Sequence, residues 1–477
     1  MRSHPRQPPT PTVLEHLREI VGPEGWVSGD NSIAPFLVEP RGRFHGAAAL
    51  ILRPGSTGEV AEIVRVCAES ETGIVPQGGN TGLVGGAVPN ADGSQVLVNL
   101  ARMSRIREMD AENSTVTVEA GCVLAELQSA ADAAGCLFPL SLAAEESCQI
   151  GGNLATNAGG VHVVGYGTTR ALTLGLEVVL PDGHVWNGLR SLLKDNSGYD
   201  LKHLFVGSEG TLGIITAATM RLFPRPQQNV TAMAAVSSIR TALAAMTSLQ
   251  ATTGNRMVAC EILSARSTEF CLRHLPDNRA PFRKPYPWTL LVEFHGGVGA
   301  ELRSTVEAGL TNLLENTGIH DAVLAETAAQ SADLWRLRKG IPEAQTREGG
   351  SIKHDISVPP QRLEEFIERA TRETEAALPG VRVVAFGHLG DGNLHFNLSQ
   401  PEGADRDMFV GEWNRLSRIV HDIAIEVGGS ISAEHGIGLA KSGELERLYS
   451  PVEVGLMRTL KAALDPKGIM NPGKLLA

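Results

Sequence analysis

Three glycine-rich runs lie within about 140 residues of one another: PQGGNTGLVGG at 76–86, IGGNLATNAGG at 150–160 and GSEGTLGI at 207–214. Five of the eleven residues in the first run are glycine. Without Cβ atoms, backbone N–H groups can close on a pyrophosphate unobstructed. One such run is more often a plain turn, but three in one region favour a large phosphate-bearing ligand. Neither standard nucleotide fingerprint fits. There is no GxGxxG, so a Rossmann site has no support, and GIMNPGK at 468–474 has Leu475 where a P-loop needs Ser or Thr, with no room for a following helix.

The surrounding pattern sets the fold class. Leu14, Leu17, Ile20 and Val21 fall at helical spacing, and Ala47–Leu52 reads as a strand ended by Arg53-Pro54-Gly55. Thr57 can cap a helix over 59–70 with Val60, Ile63, Val64 and Cys67 on one face, and Gly73 opens the next strand. This βαβ alternation predicts a mixed α/β domain. Phe223-Pro-Arg-Pro226 breaks the pattern and marks a boundary. Beyond it, a helix at 240–249, a strand at 289–295, a helix at 301–315 and a hairpin predict a separate α+β domain. A long helix at 408–427 ends at Gly428-Gly429, and Ser450-Pro451-Val452-Glu453 is a capping box for a helix that stops by Asp465-Pro466.

A chain of 477 residues calls for two or three units. Its net charge of −11, without long like-charge blocks, argues against nucleic acid as a partner. An acidic substrate would need local cations to overcome that field. Six cysteines without a CxxC pair read as reduced and cytoplasmic. No apolar stretch reaches the roughly 18–20 residues of a membrane span, so no transmembrane segment is expected, and the opening MRSHPRQPPTPT is a polar, proline-rich tail with no signal-peptide core.

The chemistry concentrates near the C-terminus. In GHLGDGNLHFN, His388 and His395 bracket a turn between two short β-type runs, 381–387 and 394–398, with Asn397 on the same strand face as His395. About forty residues later SAEHG supplies Glu434 and His435. One such histidine reads as a hydrogen-bonded core residue; two, with Asp391 between them and EHG downstream, favour a divalent metal site with a base beside it. On these residues alone, a metal hydrolase with nucleotide-binding loops stays open.

These runs, with SAEHGIG and the terminal NPGK, resemble in order the FAD-linked oxidases of the vanillyl-alcohol oxidase and p-cresol methylhydroxylase (PCMH) superfamily, most of all D-2-hydroxyacid dehydrogenases of the D-2-hydroxyglutarate and D-lactate type. The resemblance covers residue 40 to the C-terminus. It implies an α+β fold: a PCMH-type FAD-binding domain at 1–226 (core about 44–224), a substrate or cap domain with the metal site at 227–429, and a C-terminal segment at 430–477 returning to the flavin. It implies cofactor contacts from Pro76, Gly78, Gly79, Asn80, Thr81, Gly82, Gly152, Asn153, Thr156 and Gly159, with Ile214 by the adenine and Asn471 reaching the flavin. The 76–86 loop has neither His nor Cys, so the FAD is expected to be noncovalent. His388, His395 and Glu434 match metal ligands (Zn2+, or Mn2+), His435 the catalytic base, and Asn397, Arg338 and Lys353 the substrate contacts. The implied reaction oxidises a D-2-hydroxyacid, D-2-hydroxyglutarate first, by hydride transfer to flavin N5. The implied partners are an electron-transfer flavoprotein or a quinone-linked acceptor and a second copy in a homodimer. A non-catalytic flavin subunit of a larger complex is the contrasting expectation. Pro342 departs from the 2-hydroxyglutarate pattern, which has a threonine there, so D-lactate and D-malate stay open as substrates.

Overall fold

In the computed structural model, which describes residues 7–28, 30–299, 301–316 and 318–476, strand Ala48–Leu52 leads into helix Thr57–Glu69 and strand Gly73–Gln77. Residues 1–6 of the proline-rich tail lie outside the described residues. The helix begins one residue earlier than Thr57 would place its cap: extended Ser56 accepts the Glu59 N–H, and the Thr57 hydroxyl goes to Glu177 at 2.6 Å. Val60, Ile63, Val64 and Cys67 are buried on this helix, each worth about 1.5–3 kcal/mol over an exposed position.

Contacts divide the chain into two units, the first comprising Met1–Gly159, Thr168–Arg225 and Glu434–Ala477, the second Gly160–Gly167 and Pro226–Ala433. In the first, Ala48–Leu52 and Gly73–Gln77 both pair in parallel with Gln95–Asn99, as a βαβ crossover requires. A five-stranded antiparallel sheet follows, in the order Ile106–Asp110, Thr115–Glu119, Ile214–Arg221, Thr173–Val179, Val185–Gly188. Ala217 pairs with Glu119 on one side and Glu177 on the other. Arg107 bridges the two carboxylates, Nε to Glu119 at 3.3 Å and Nη2 to Glu177 at 3.1 Å. The C-terminal segment docks beside Gly73–Gln77: Ile74 N–H donates to Ile469 O at 2.8 Å, and Asn471 N–H to Ile74 O at 2.8 Å.

The second unit is built on an eight-stranded sheet whose order begins Asp321–Leu324, Gln228–Val236, Trp288–Gly296, Met257–Ser264 and continues with Arg382–His388, Asn393–Ser399 and Ser351–Ile352; Ile356–Ser357 also pairs with Asn393–Ser399. Helix Ile239–Thr253 outruns the expected 240–249 because Ser238 caps its start and left-handed Gly254 ends it. The single helix expected over 408–427 is two, Arg406–Gly411 and Trp413–Glu426, parted at Glu412. Gly411 ends the first, and the restart turns Leu416, Val420, Ile423 and Ala424 into the core.

Candidate active site

The first unit holds an open cleft. Pro76, Gly78, Gly79, Asn80, Thr81 and Gly82 from the first glycine run line it, with Gly152, Asn153 and Thr156 from the second and Ser208 to Gly210 and Ile214 from the third. Of the cofactor residues expected from the sequence, Gly159 and Asn471 are not on its wall. A Cβ at Gly82 or Gly152 would meet no atom within 4 Å, so both glycines leave room on the wall that a side chain would fill. Gln149 Oε1, from a lining residue, is buried without a hydrogen-bond partner. A glycine-lined cradle suits a phosphate-rich ligand, and the orphaned oxygen can accept from a hydroxyl or N–H group of a ligand such as FAD. The Asn80 amide is already committed, donating to Pro35 O at 3.0 Å and Val38 O at 2.9 Å, so its free contribution is backbone.

His435 lines the same cleft. Its loop is fixed by Glu209, whose buried carboxylate accepts the N–H groups of Ile437 at 2.8 Å and Gly438 at 2.7 Å. Burial raises the Glu209 carboxyl above its ordinary pKa, and those N–H donors and the Lys441 charge offset only part of that. Asn471 donates its amide to Gly86 O at 2.9 Å and Glu209 O at 2.7 Å. Asn471 thus acts one step behind the wall, tying the tail to two loops that form it.

In the second unit the hairpin Arg382–His388/Asn393–Ser399 has its turn at 389–392, where Asp391 accepts the Asn393 N–H at 3.0 Å. The register opposes Phe386 to His395 and His388 to Asn393. The His388 and His395 rings stand 5.8 Å apart, edge to face. His388 is also the direct cross-strand partner of Glu261, and its Nδ1 is hydrogen-bonded to that fully buried carboxylate. With Glu261 accepting, the N–H of His388 sits on Nδ1, a carboxylate–histidine pairing that orients the ring. Glu261 also accepts from Arg338 Nε at 2.5 Å, and Arg338 lies 4.8 Å over the Phe386 ring. Burial pushes the Glu261 carboxyl up, but His388 and Arg338 more than offset it and hold it ionised. Gln345 Oε1 accepts from Lys353 Nζ at 2.5 Å and Asn397 Nδ2 at 2.9 Å. Pro342 sits in the first turn of helix Ile341–Glu348. His388, His395, Arg338, Lys353 and Asn397 belong to this unit; Glu434 and His435 begin the segment that belongs to the first.

Glu261, Gln345 and Glu209 are absent from the sequence reading. Glu261 had a usable signal: one acid inside the apolar strand MVACEILS is too costly to bury without a partner.

Two family models match the chain, the FAD binding domain over residues 48–188 and the C-terminal domain of FAD linked oxidases over 225–475. The chain belongs to the FAD-linked oxidases. It is a FAD-dependent oxidoreductase, which removes the hydrolase alternative. A probable mitochondrial D-2-hydroxyglutarate dehydrogenase of Oryza sativa subsp. indica is 38% identical over 97% of this chain and 81% of its own. A putative mitochondrial D-lactate dehydrogenase of Schizosaccharomyces pombe is 35% identical over 97% of this oxidase and 89% of its own chain. A crystal structure of p-cresol methylhydroxylase with substrate bound matches with a TM-score of 0.76 at 16% identity, covering 97% of this chain and 96% of that one. The fold is therefore the PCMH-type FAD-binding fold.

The cytoplasmic expectation is overturned: the rice and fission-yeast relatives are both named mitochondrial, as are those of Arabidopsis thaliana and Danio rerio. Free cysteines report a reducing environment and do not distinguish one reducing compartment from another. Among the described residues, no helix is long and apolar enough to cross a membrane.

Proposed function

We propose that this FAD-linked oxidase oxidises a D-2-hydroxyacid to the 2-oxoacid, with D-2-hydroxyglutarate the first candidate. The observation that carries this reading is His435 on the wall of the glycine-lined cleft, a side chain whose ordinary pKa suits a base near neutral pH. FAD, bound noncovalently in that cleft, supplies the hydride acceptor for the hydrogen on C2. His388, His395 and Glu434 would hold a divalent ion, zinc or manganese, whose positive charge would favour the ionised 2-hydroxyl and the 1-carboxylate. The support within the fold is the Glu261 contact that orients His388; Glu434 follows Ala433 directly in the chain. His435 takes the hydroxyl proton as C2 gives up its hydride. Arg338, held by Glu261, pairs with a substrate carboxylate as a fork, and Lys353 does so as a point charge. Gln345 holds Lys353 and Asn397 on one side chain and so sets their spacing. The acceptor is an electron-transfer flavoprotein or a quinone-linked carrier, and the oxidase works as a homodimer.

Pro342 cannot donate a hydrogen bond from its side chain, and the name of the fission-yeast relative keeps D-lactate in view. The test is anaerobic mixing with a panel of D- and L-2-hydroxyacids while visible flavin absorbance is followed. D-2-hydroxyglutarate should bleach the flavin fastest and L-acids should not. His435→Ala should slow bleaching roughly 10²–10⁴-fold with FAD still bound. Bleaching by no D-2-hydroxyacid, or an unslowed His435→Ala, would defeat the proposal.

A further inference from the structure

A second histidine–carboxylate cluster lies wholly within the second unit and shares no residue with the site above. Segment 160–167 forms one helical turn, Val163–Tyr166, against strand Met257–Ser264, so closely that a Cβ on Gly165 would come within 2.8 Å of Val258 Cγ1. His162 and Tyr166, four apart, meet Glu293 and His295, two apart on strand Trp288–Gly296. His295 Nε2 stands 3.0 Å from Glu293 Oε1, and His162 Nε2 stands 3.4 Å from the same oxygen. All three donor atoms lie within 4.8 Å of one another.

The outward-facing atoms of His295 and Glu293 are already held. Tyr166 Oη is 2.8 Å from His295 Nδ1 and can accept its N–H, and Trp335 Nε1 donates to Glu293 Oε2 at 2.6 Å. The atoms left converging are two imidazole nitrogens and one carboxylate oxygen. Ligands about 2.1 Å from a tetrahedral zinc are separated by roughly 3.4 Å, which the observed 3.0 and 3.4 Å approach without rearrangement. The side chain of His162 is 18% exposed, which gives an ion a way in and leaves a fourth position for water.

We propose that His162, Glu293 and His295 form a second divalent-cation site of the zinc class, with Tyr166 and Trp335 as its outer supports. A bound ion would clamp segment 160–167 to strand Trp288–Gly296. A purely hydrogen-bonded cluster, the alternative, would bind no metal.

Chelator-treated, flavin-loaded protein is titrated with zinc chloride and bound zinc is counted per chain, with melting temperature and flavin content read in parallel. The wild type should take two equivalents, His162→Gln one, and the double variant His162→Gln/His388→Gln none. Zinc should raise the melting temperature of the wild type more than that of His162→Gln. Tyr166→Phe, which leaves all three donors in place, should weaken the second equivalent roughly 10–100-fold. If His162→Gln and Tyr166→Phe both bind zinc as the wild type does, the site does not exist. Loss of one equivalent in His388→Gln reports on the hairpin metal separately, so either site can fail while the other stands.

Discussion

At the scale of single residues, Glu261 does the most with the least notice. It is fully buried, it fixes the tautomer of His388, and it anchors the Arg338 guanidinium. Glu261→Gln keeps the volume but removes the charge that orients both partners. If the hairpin holds the metal proposed for it, the variant should retain flavin and bind that metal roughly 10–100-fold more weakly, as measured by zinc content after dialysis against a graded chelator. Unchanged zinc retention would mean that Glu261 serves packing alone. The cofactor side has a matching test at Gly152. A Cβ there would meet no atom within 4 Å, so Gly152→Val should fold and instead occupy the cradle. Protein purified colourless, with an unchanged melting temperature for the apo form, is the expected result; a yellow variant would place the ligand elsewhere. His388, His395 and His435 were visible in the sequence as candidates because two histidines bracket one glycine-rich turn and a third follows Glu434. Gln345 was not, because a glutamine on a helix looks like any solvated residue until tertiary packing buries it.

At the scale of elements, periodicity and capping carried most of the fold, and the misses have local causes. Ser56 outcompetes Thr57 as cap because Thr57 is drawn to Glu177, a partner 120 residues away that no local rule can see. Ser56→Ala should accordingly cost about 1 kcal/mol in chemical unfolding. Thr57→Ala should act through Glu177 instead. That carboxylate belongs to the row Glu119–Ala217–Glu177, in which two acids flank one strand, Arg107 reaches both and Arg105 pairs with Glu119. Burial raises the Glu177 carboxyl, but Arg107 with the hydroxyls of Thr57 and Thr216 outweighs it, so the net shift is downward. A carboxylate with a lowered folded-state pKa gives stability that is present above its unfolded value and lost as pH falls through the folded value. Glu177→Gln should thus destabilise at pH 7, and the gap to wild type should narrow as pH falls below the ordinary carboxylate range. A gap independent of pH would show that the ion pair is not its source. The split of the 408–427 region into two helices is hidden in the sequence because the buried Phe409, Leu416, Val420 and Ile423 keep one helical spacing across the break at Glu412.

For the whole molecule, the sequence order of glycine runs, hairpin and EHG segment predicted the family, but composition misjudged the compartment because thiols record redox state only. Net charge makes a sharper statement about function. At −11 the protein repels an anionic acid from a distance, while under the proposed function Arg338, buried, and Lys353, half-buried, would attract it at close range. Salt does not act equally on these two effects. The Debye length falls from about 30 Å at 0.01 M to about 8 Å at 0.15 M, which screens the distant field and barely touches pairing inside a site. For a dianionic acid such as D-2-hydroxyglutarate, kcat/KM should therefore rise as salt increases over that range, in the direction opposite to enzymes that steer their substrates in. A monoanion such as D-lactate carries half the charge and should respond about half as much on a logarithmic scale. Initial rates for the two acids at matched ionic strengths measure this directly. A fall in kcat/KM with salt for both would mean that a local positive field extends beyond the site and governs encounter in place of the net charge.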